Sequence, residues 1–410
     1  MRRRLSGEGW AAALLLGLAV IGWCVGSILL ALCGTLGVVV VLLLWVWQRA
    51  CLTNVSFRRT LSHERAMFGE EITLSIEIVN DKVLPLTWLH VEDGVPQVLR
   101  IRGGTVEDDT SHVAAVLHLL VPMLPFARVR RRMVVECDRR GAYTFGPARL
   151  ESGDPIAYGR RRMRCDGTDR LLVYPKVFAQ QPPAIASRML FGDHRSPAVL
   201  LGDPSRVAGV REYVLGDPLR HIDWRATART ASVLVRVYEP TTALRVAVFV
   251  DLRVPRVEGQ AAADLDEFTI AVAASFISDL AARGVGVGLF TTGSLDGRRV
   301  TYPPSASASA LTDTLELLAR VSTVGRTTLA ELLVSEGRRF ASGVSVVVIA
   351  AHFSEPTVEA IADLRRRLPI SSIWVGSDRG APPPAGTVDA REEVAYVEDW
   401  KQRDTLELVG

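Results

Sequence analysis

The chain reads as a multidomain protein: an N-terminal transmembrane helical hairpin, an Ig-like β-sandwich domain, then a doubly wound α/β domain. Three observations predict this. No charged side chain occurs from Trp10 to Gln48. Residues 71–79 alternate polar and apolar with a period of two, the pattern of a half-buried strand. Beyond residue 244, continuous apolar runs alternate with helical patterns, as in a parallel sheet covered on both faces.

Residues 1–9 form a basic N-terminus with Arg2, Arg3 and Arg4, and residues 10–50 form the membrane segment. A single helix from Trp10 to Gln48 would be about 57 Å long at 1.5 Å per residue. The hydrocarbon core is only about 30 Å thick, so the segment is expected to fold into two spans. Gly26-Ser27 or Cys33-Gly34 offers the turn, and the region near Cys33 is favoured. Trp10, Trp45 and Trp47 stand where interfacial aromatics belong. Arg49, Arg58 and Arg59 follow the second span, and the short connection is uncharged. The excess of arginine on both flanks predicts that both termini face the cytoplasm, in a multi-pass protein of the cell membrane. The run is too long for a cleaved signal peptide.

Residues 51–175 are expected to form the sandwich. Runs at Leu86–Val91, Val113–Val121 and Val129–Glu136 follow the one at 71–79, with Pro, Gly and Asp between them. Residues 176–243 form a connecting segment. In the α/β domain, 244–390, Leu244–Val250 is the first buried strand. Asp264 is placed to N-cap the next helix, with Glu267 completing a capping box, and Gly284 to end it. Strands at Val285–Phe290, Val344–Ala350 and Ile370–Val375 alternate with helices near Ala310–Val321, Leu329–Phe340 and Pro356–Arg367. Residues 391–410 read as an acidic tail.

Forty-eight Lys and Arg against 45 Asp and Glu leave a net charge of +3, too near balance to imply a nucleic-acid partner. The five cysteines form no C-x-x-C pair and no zinc-type spacing with histidine, so neither a disulfide framework nor a structural metal is expected. No Walker A, HExxH or GxSxG motif occurs, and no cofactor is expected.

The densest constellation spans Val210–Arg229 and includes Arg211, Glu212, Tyr213, Gly216, Asp217, Arg220, Ile222, Asp223, Trp224, Ala228 and Arg229. Gly216-Asp217-Pro218 is turn chemistry. Asp217, Arg220, Asp223, Arg225 and Arg229 alternate in sign and are expected to pair as carboxylates with guanidinium forks. Trp224 is placed to bury a large face. His221 has no Ser or Cys beside it, so a nucleophile–base pair is missing. Two readings stay open: an ion-pair network that docks the segment, or a recognition surface, for which Arg and Trp suit contact better than chemistry.

This pattern, R-E-Y-x-x-G-D-x-x-R-x-I-D-W-x-x-x-A-R, resembles the signature of the bacterial family called domain of unknown function 58. Arg65, Gly69-Glu70, Arg140-Gly141-Ala142-Tyr143 and Asp154-Pro155 match further passages of that family. The resemblance implies two N-terminal spans, a von Willebrand factor A-like C-terminal domain and a MoxR-type AAA+ ATPase as a protein partner beside the lipid bilayer. It implies no established activity. The von Willebrand-type metal site has the pattern D-x-S-x-S plus a later Thr and Asp. Here Asp251 keeps the first position, Arg253 and Pro255 replace the serines, and Thr327 and Thr328 lie in the Thr loop. A hard cation needs about six oxygens, so this remnant is read as degenerate, with no metal.

Arg128–Arg132, Arg160–Arg164 and Arg365–Arg367 are basic runs, read as solvated faces in preference to an anionic-lipid contact. The sequence therefore predicts a membrane-anchored, non-enzymatic interaction module, and the family resemblance implies a role in the assembly and maturation of envelope proteins. The alternative is a hydrolytic or phosphate-directed enzyme using Asp217, Arg220, Asp223 and Asp251. A third reading, a metal-dependent adhesion-type binder, is opposed by the lost ligands.

Overall fold

The computed structural model describes residues 7–108, 114–156, 159–178, 202–213, 222–230, 232–240, 245–252, 260–340, 344–376, 392–395, 400–403, 405 and 408–409. The chain divides into two compact units, Met1–Val173 and Tyr174–Gly410.

The first unit begins with two helices, α1 (Gly7–Cys24) and α2 (Ile28–Ala50). With 23 residues, α2 is long and apolar enough to cross a membrane. The chain reverses at Gly26, whose φ of +71° is a conformation that glycine adopts without strain. The turn is therefore not near Cys33. The neighbouring Gly34 is instead a packing residue: a Cβ there would stand 2.4 Å from the Ala19 backbone nitrogen. Gly22 meets Ala31 and Gly37 meets Leu15 in the same way, so small residues let two apolar helices approach antiparallel.

Twelve strands follow: β1 (Val55–Leu61), β2 (Arg65–Ala66), β3 (Glu71–Asn80), β4 (Leu89–Pro96), β5 (Arg100–Arg102), β6 (Thr105–Asp108), β7 (Ala114–Leu120), β8 (Arg128–Glu136), β9 (Gly141–Phe145), β10 (Ala148–Gly153), β11 (Arg160–Cys165) and β12 (Asp169–Val173). They form three sheets, ordered β1-β3-β8-β5, β11-β10-β4-β7-β6 and β2-β12-β9. On β3, Ile72, Leu74, Ile76 and Ile78 alternate into the core, as the period of two requires. Leu89 and Val91 of β4, Leu117 of β7, Met133 and Val135 of β8 and Phe145 of β9 join them in one buried cluster. Cys51, Leu52 and Val55 belong to that cluster, with Trp47 packed against it, so α2 runs directly into the core of the sheets. Arg161 adds a hydrogen bond to the Arg49 carbonyl at 2.9 Å.

Two of the basic runs lie on strands and have carboxylate partners, whereas Arg365–Arg367 closes a helix further along the chain. Arg128 and Arg130 of β8 pair with Glu77 of β3 at 2.9 and 3.1 Å, and Arg160 and Arg162 of β11 pair with Glu151 of β10 at 3.3 and 2.8 Å. β11 is the edge of its sheet, where paired arginines discourage edge-to-edge association.

In the second unit, β13 (Gly202–Glu212) and β14 (Leu234–Pro240) form an antiparallel ribbon around a short helix, α3 (Trp224–Thr230). The rest is β15 (Arg245–Val250), α4 (Gln260–Ala282), β16 (Gly286–Leu295), β17 (Arg298–Ser305), α5 (Ala310–Arg320), α6 (Leu329–Gly337), β18 (Val344–Ala350), α7 (Glu355–Arg365), β19 (Ile370–Gly376), β20 (Glu392–Ala395) and β21 (Leu408–Val409). The seven-stranded sheet runs β17-β16-β15-β18-β19-β20-β21, with β16 to β20 parallel and each edge strand antiparallel. Val246–Val250 of β15 are buried, as expected for a central parallel strand. At Gly288 a Cβ would stand 2.6 Å from the Pro304 nitrogen, so glycine permits the close approach of β17.

Two local expectations are corrected. Asp264 lies inside α4, because the Gln260-Ala-Ala-Ala stretch carries the helix back one turn; its carboxylate pairs with Lys401 Nζ at 3.2 Å. The presumed tail is structural: β20 and β21 extend the sheet, and Trp400 is buried against Phe268 and Phe178, at ring distances of 5.6 and 6.3 Å. Gly284 ends α4 with a φ of +76°, and Val285 N–H returns to the Leu280 carbonyl at 3.1 Å.

Candidate functional site

The motif is built on the ribbon of β13 and β14. Register pairs Val210 with Arg236, Arg211 with Val235 and Glu212 with Leu234. The far edge of β14 is taken by the motif itself: Ile222 bridges to Val235, and Asp223 N–H donates to the Leu234 carbonyl at 2.8 Å. Tyr213, half-buried, donates its N–H to the Val233 carbonyl at 2.8 Å. Leu234 therefore meets Glu212 on one edge and Asp223 on the other.

Asp223 then starts α3. Its Oδ1 accepts the N–H groups of Arg225 and Ala226, each at 3.1 Å, which is the geometry of an N-cap. Its carbonyl accepts Thr227 N–H at 2.8 Å, and the Thr227 hydroxyl in turn accepts Leu234 N–H at 3.0 Å. Its Oδ2 accepts Arg236 Nε at 2.9 Å. The Arg236 hydrogen bond first, then the Ala226 N–H, hold the Asp223 carboxyl below the usual carboxylate range. Among the described residues, the guanidinium partner of Asp223 is thus Arg236 on β14. Arg225 contributes its backbone instead, and Arg229 is exposed in the last turn of α3. Arg211 turns a guanidinium N–H to the Glu212 carbonyl at 3.0 Å.

Trp224 overturns its expected burial. With a relative exposure of 69% it projects from the first position of α3, and Val210 and Val233 on the same ribbon are exposed as well. A capped helix therefore displays an indole to solvent, with exposed guanidinium groups along the chain on either side. Gly216, Asp217, Arg220 and His221 lie outside the described residues.

Asp251 sits at the carboxyl end of β15, the place where open parallel sheets bind ligands. Its Oδ1 accepts the Thr292 hydroxyl at 2.8 Å, and Thr292 Oγ1 accepts Leu252 N–H at 2.9 Å. Thr328 is the N-cap of α6 and forms a reciprocal capping box with Glu331. The Thr327 hydroxyl lies 3.4 Å from Arg299 Nη2. Arg253 lies outside the described residues. Thr328 thus serves a helix terminus and Thr327 meets a guanidinium. An open hollow of about 540 Å³ is lined by Leu295, Asp296, Arg298, Arg299, Val300, Thr301 and Leu317, none of them a motif residue.

Three residues that the sequence did not single out share one outer sheet face in the first unit: His90 and Glu92 on β4 and His118 on β7. Their separation along the chain hides them; only the pairing of Glu92 with His118 in register brings them together.

Residues 209–395 match the profile of the family described as protein of unknown function DUF58. The chain is 24% identical over 233 residues to the uncharacterised protein YeaD of Bacillus subtilis, covering 55% of this chain. It spans about half (52%) of the length of that relative. Among solved structures, the DNA-bound alkylpurine DNA glycosylase AlkC of Pseudomonas fluorescens aligns over 40% of this chain and 42% of its own, at 13% identity and a TM-score of 0.20. A cohesin module of Clostridium perfringens aligns over 29% of this chain and 95% of its own, at 7% identity and a TM-score of 0.21. At scores this low neither bears on fold or function.

Proposed function

From its membership of the DUF58 family, carried by residues 209–395, we propose that this chain is a membrane-anchored, non-enzymatic protein-contact and assembly module. The observation that carries the reading is Trp224, which is exposed on a helix start fixed by Asp223 and Arg236. An indole held out on a rigid support costs little ordering on association and supplies a large desolvated face to a partner. Arg211, Arg225 and Arg229, exposed in the same segment of the chain, favour an acidic rim on the partner.

In this reading α1 and α2 form a two-span anchor with both termini in the cytoplasm. The first unit is an Ig-like β-sandwich and the second a von Willebrand factor A-like domain. A MoxR-type AAA+ ATPase is the proposed partner, and maturation of envelope proteins the setting. The enzyme reading gains no particular support. Asp223 has both oxygens engaged by its cap and by Arg236, and Asp251 accepts from Thr292.

Binding of the full-length chain in detergent to a purified MoxR-type ATPase from the same cell tests this. Trp224→Ala should weaken binding by about 30-fold, the loss typical of a hot-spot tryptophan. Equal affinity of wild type and variant would remove Trp224 as the contact.

A further inference from the structure

We propose that His90, Glu92 and His118 form a binding site for a divalent transition metal of the zinc class on the outer face of the first unit. One nitrogen or oxygen from each lies within 4.8 Å of the others. His90 Nε2 and His118 Nδ1 are 3.1 Å apart, with the rings stacked at 5.2 Å. Two nitrogens on one tetrahedral zinc are about 3.3 Å apart, given bonds of about 2.0–2.1 Å. The imidazole pair is therefore already near the spacing that an ion between them needs.

The groups behind the pair fit the same chemistry. Histidine ligands are oriented by a carboxylate on the other ring nitrogen. Glu107 Oε2 lies 3.7 Å from His118 Nε2, on the side away from His90. Glu92 Oε1 lies 3.7 Å from His90 Nδ1, and Glu92 stands directly opposite His118 in the β4–β7 register, so a rotation of its side chain brings an oxygen to the ion. We assign His90 Nε2, His118 Nδ1 and one Glu92 oxygen as ligands and Glu107 as the positioning residue. Two imidazoles and one carboxylate leave a fourth position open, the ligand set of zinc sites that accept an exchangeable water.

The supports are rigid. β4 and β7 are inner strands of the five-stranded sheet, held by β10 and β6. Leu89, Val91 and Leu117, which alternate with the ligands along these strands, are fully buried. The three ligands are half-buried, so an ion can reach them without opening the core.

The test uses the full-length chain in detergent, titrated calorimetrically with Zn²⁺ and spectroscopically with Co²⁺. One equivalent of Zn²⁺ should bind, Co²⁺ should give the intense visible bands of a tetrahedral site, and Zn²⁺ should raise Tm. His90→Ala and His118→Ala should abolish the bands, and Glu107→Gln should weaken binding by about 10-fold or more, as loss of an orienting partner does. His352→Ala, on the second unit, should leave them unchanged. No Zn²⁺-dependent rise in the Tm of the wild type, or equal Zn²⁺ affinity in wild type and His118→Ala, would overturn the site and leave only a hydrogen-bonded imidazole pair.

Discussion

Arg236 Nε donates to Asp223 Oδ2 at 2.9 Å while Asp223 Oδ1 caps α3. One carboxylate thus joins strand β14 to the helix that bears Trp224. Asp223→Ala should lower Tm by about 2–4 °C, since it removes the cap and the ion pair together. It should also weaken partner binding by freeing the start of α3. Trp224→Ala should leave Tm within about 1 °C, because an exposed side chain contributes little to folding. Differential scanning calorimetry beside a binding assay separates the two. If Trp224→Ala destabilises as much as Asp223→Ala, the indole is structural.

The same carboxylate carries a pH signature. Its folded pKa is depressed by Arg236 and the Ala226 N–H, so its contribution to stability is present above the unfolded value of about 4 and is lost as pH falls through the depressed value. The wild-type advantage over Asp223→Ala should be constant from pH 7 down to about pH 5 and shrink below about pH 4. A Tm scan of both proteins against pH reads this directly. An advantage that grows on acidification would contradict the ion pair.

Asp93 behaves in the opposite sense. Arg59 Nη1 lies 2.5 Å from Asp93 Oδ1 in the core of the first unit, and Arg59 Nε lies 2.7 Å from Asp169 Oδ2. Burial still pushes the Asp93 carboxyl up to about 6, despite Arg59. Its Oδ2, buried without a hydrogen-bond partner among the described residues, is where the proton would sit. A raised carboxylate pKa contributes stability that is fully present below about pH 4 and lost as pH rises through 6. Two pH units correspond to about 3 kcal/mol. Asp93→Asn does not titrate, so the stability of wild type relative to this variant should decline between pH 4 and 6.5. Asp93→Ala should be destabilising throughout, because Arg59 keeps a buried charge with only the Asp169 carboxylate and the Gly167 carbonyl beside it, and its cost should shrink by the same amount between pH 4 and 6.5, since alanine does not titrate either. Chemical denaturation at four pH values measures both effects.

Much of the fold was legible because its signals are local. The alternation at residues 71–79 marks β3, and the apolar run at 244–250 marks the central strand of the second unit. Asp251 was legible as a strand-end carboxylate for the same reason. What was not legible depends on register. Arg236 is 13 residues from Asp223, and only the β13–β14 ribbon with Ile222 on its edge brings them together. His90 and His118 are 28 residues apart and meet only through the β4–β7 pairing. Trp224 misled because a bulky apolar side chain favours burial on average, whereas its place on the short helix exposes it. Thr328 and Glu331 carry the spacing of a capping box, yet the same threonine also fitted a ligand loop, and the local cap is the role it takes.

The helix pair makes a packing prediction with an internal control. A Cβ at Gly34 would lie 2.4 Å from the Ala19 backbone nitrogen, whereas a Cβ at Gly17 has nothing within 4 Å. Gly34→Leu should force α1 and α2 apart and cost about 1–3 kcal/mol, as overpacking does. Gly17→Leu should be neutral. Thermal stability and monodispersity of the full chain in detergent distinguish them. Equal tolerance of both substitutions would mean that the two helices do not pack through Gly34.

The proposed orientation follows from where the arginines stand. Arg2–Arg4 precede α1, Arg49 ends α2, and Arg58 and Arg59 follow on β1, while the turn at Gly26 carries no charge. Charge near a span resists translocation during insertion, so Arg59 counts toward topology even though it is buried in the folded unit. With α2 crossing as a 23-residue helix and α1 returning antiparallel beside it, both flanks should remain on the cytoplasmic side. An alkaline phosphatase fused after Gly410 should be inactive in intact cells, and a green fluorescent protein fused there should fluoresce. Replacing Arg2, Arg3 and Arg4 with Ser should leave this unchanged, since the flank of α2 keeps three arginines. Replacing Arg49, Arg58 and Arg59 as well should allow the soluble units to cross and activate the phosphatase. Phosphatase activity from the unmodified chain would invert the topology and exclude a cytoplasmic AAA+ ATPase as partner.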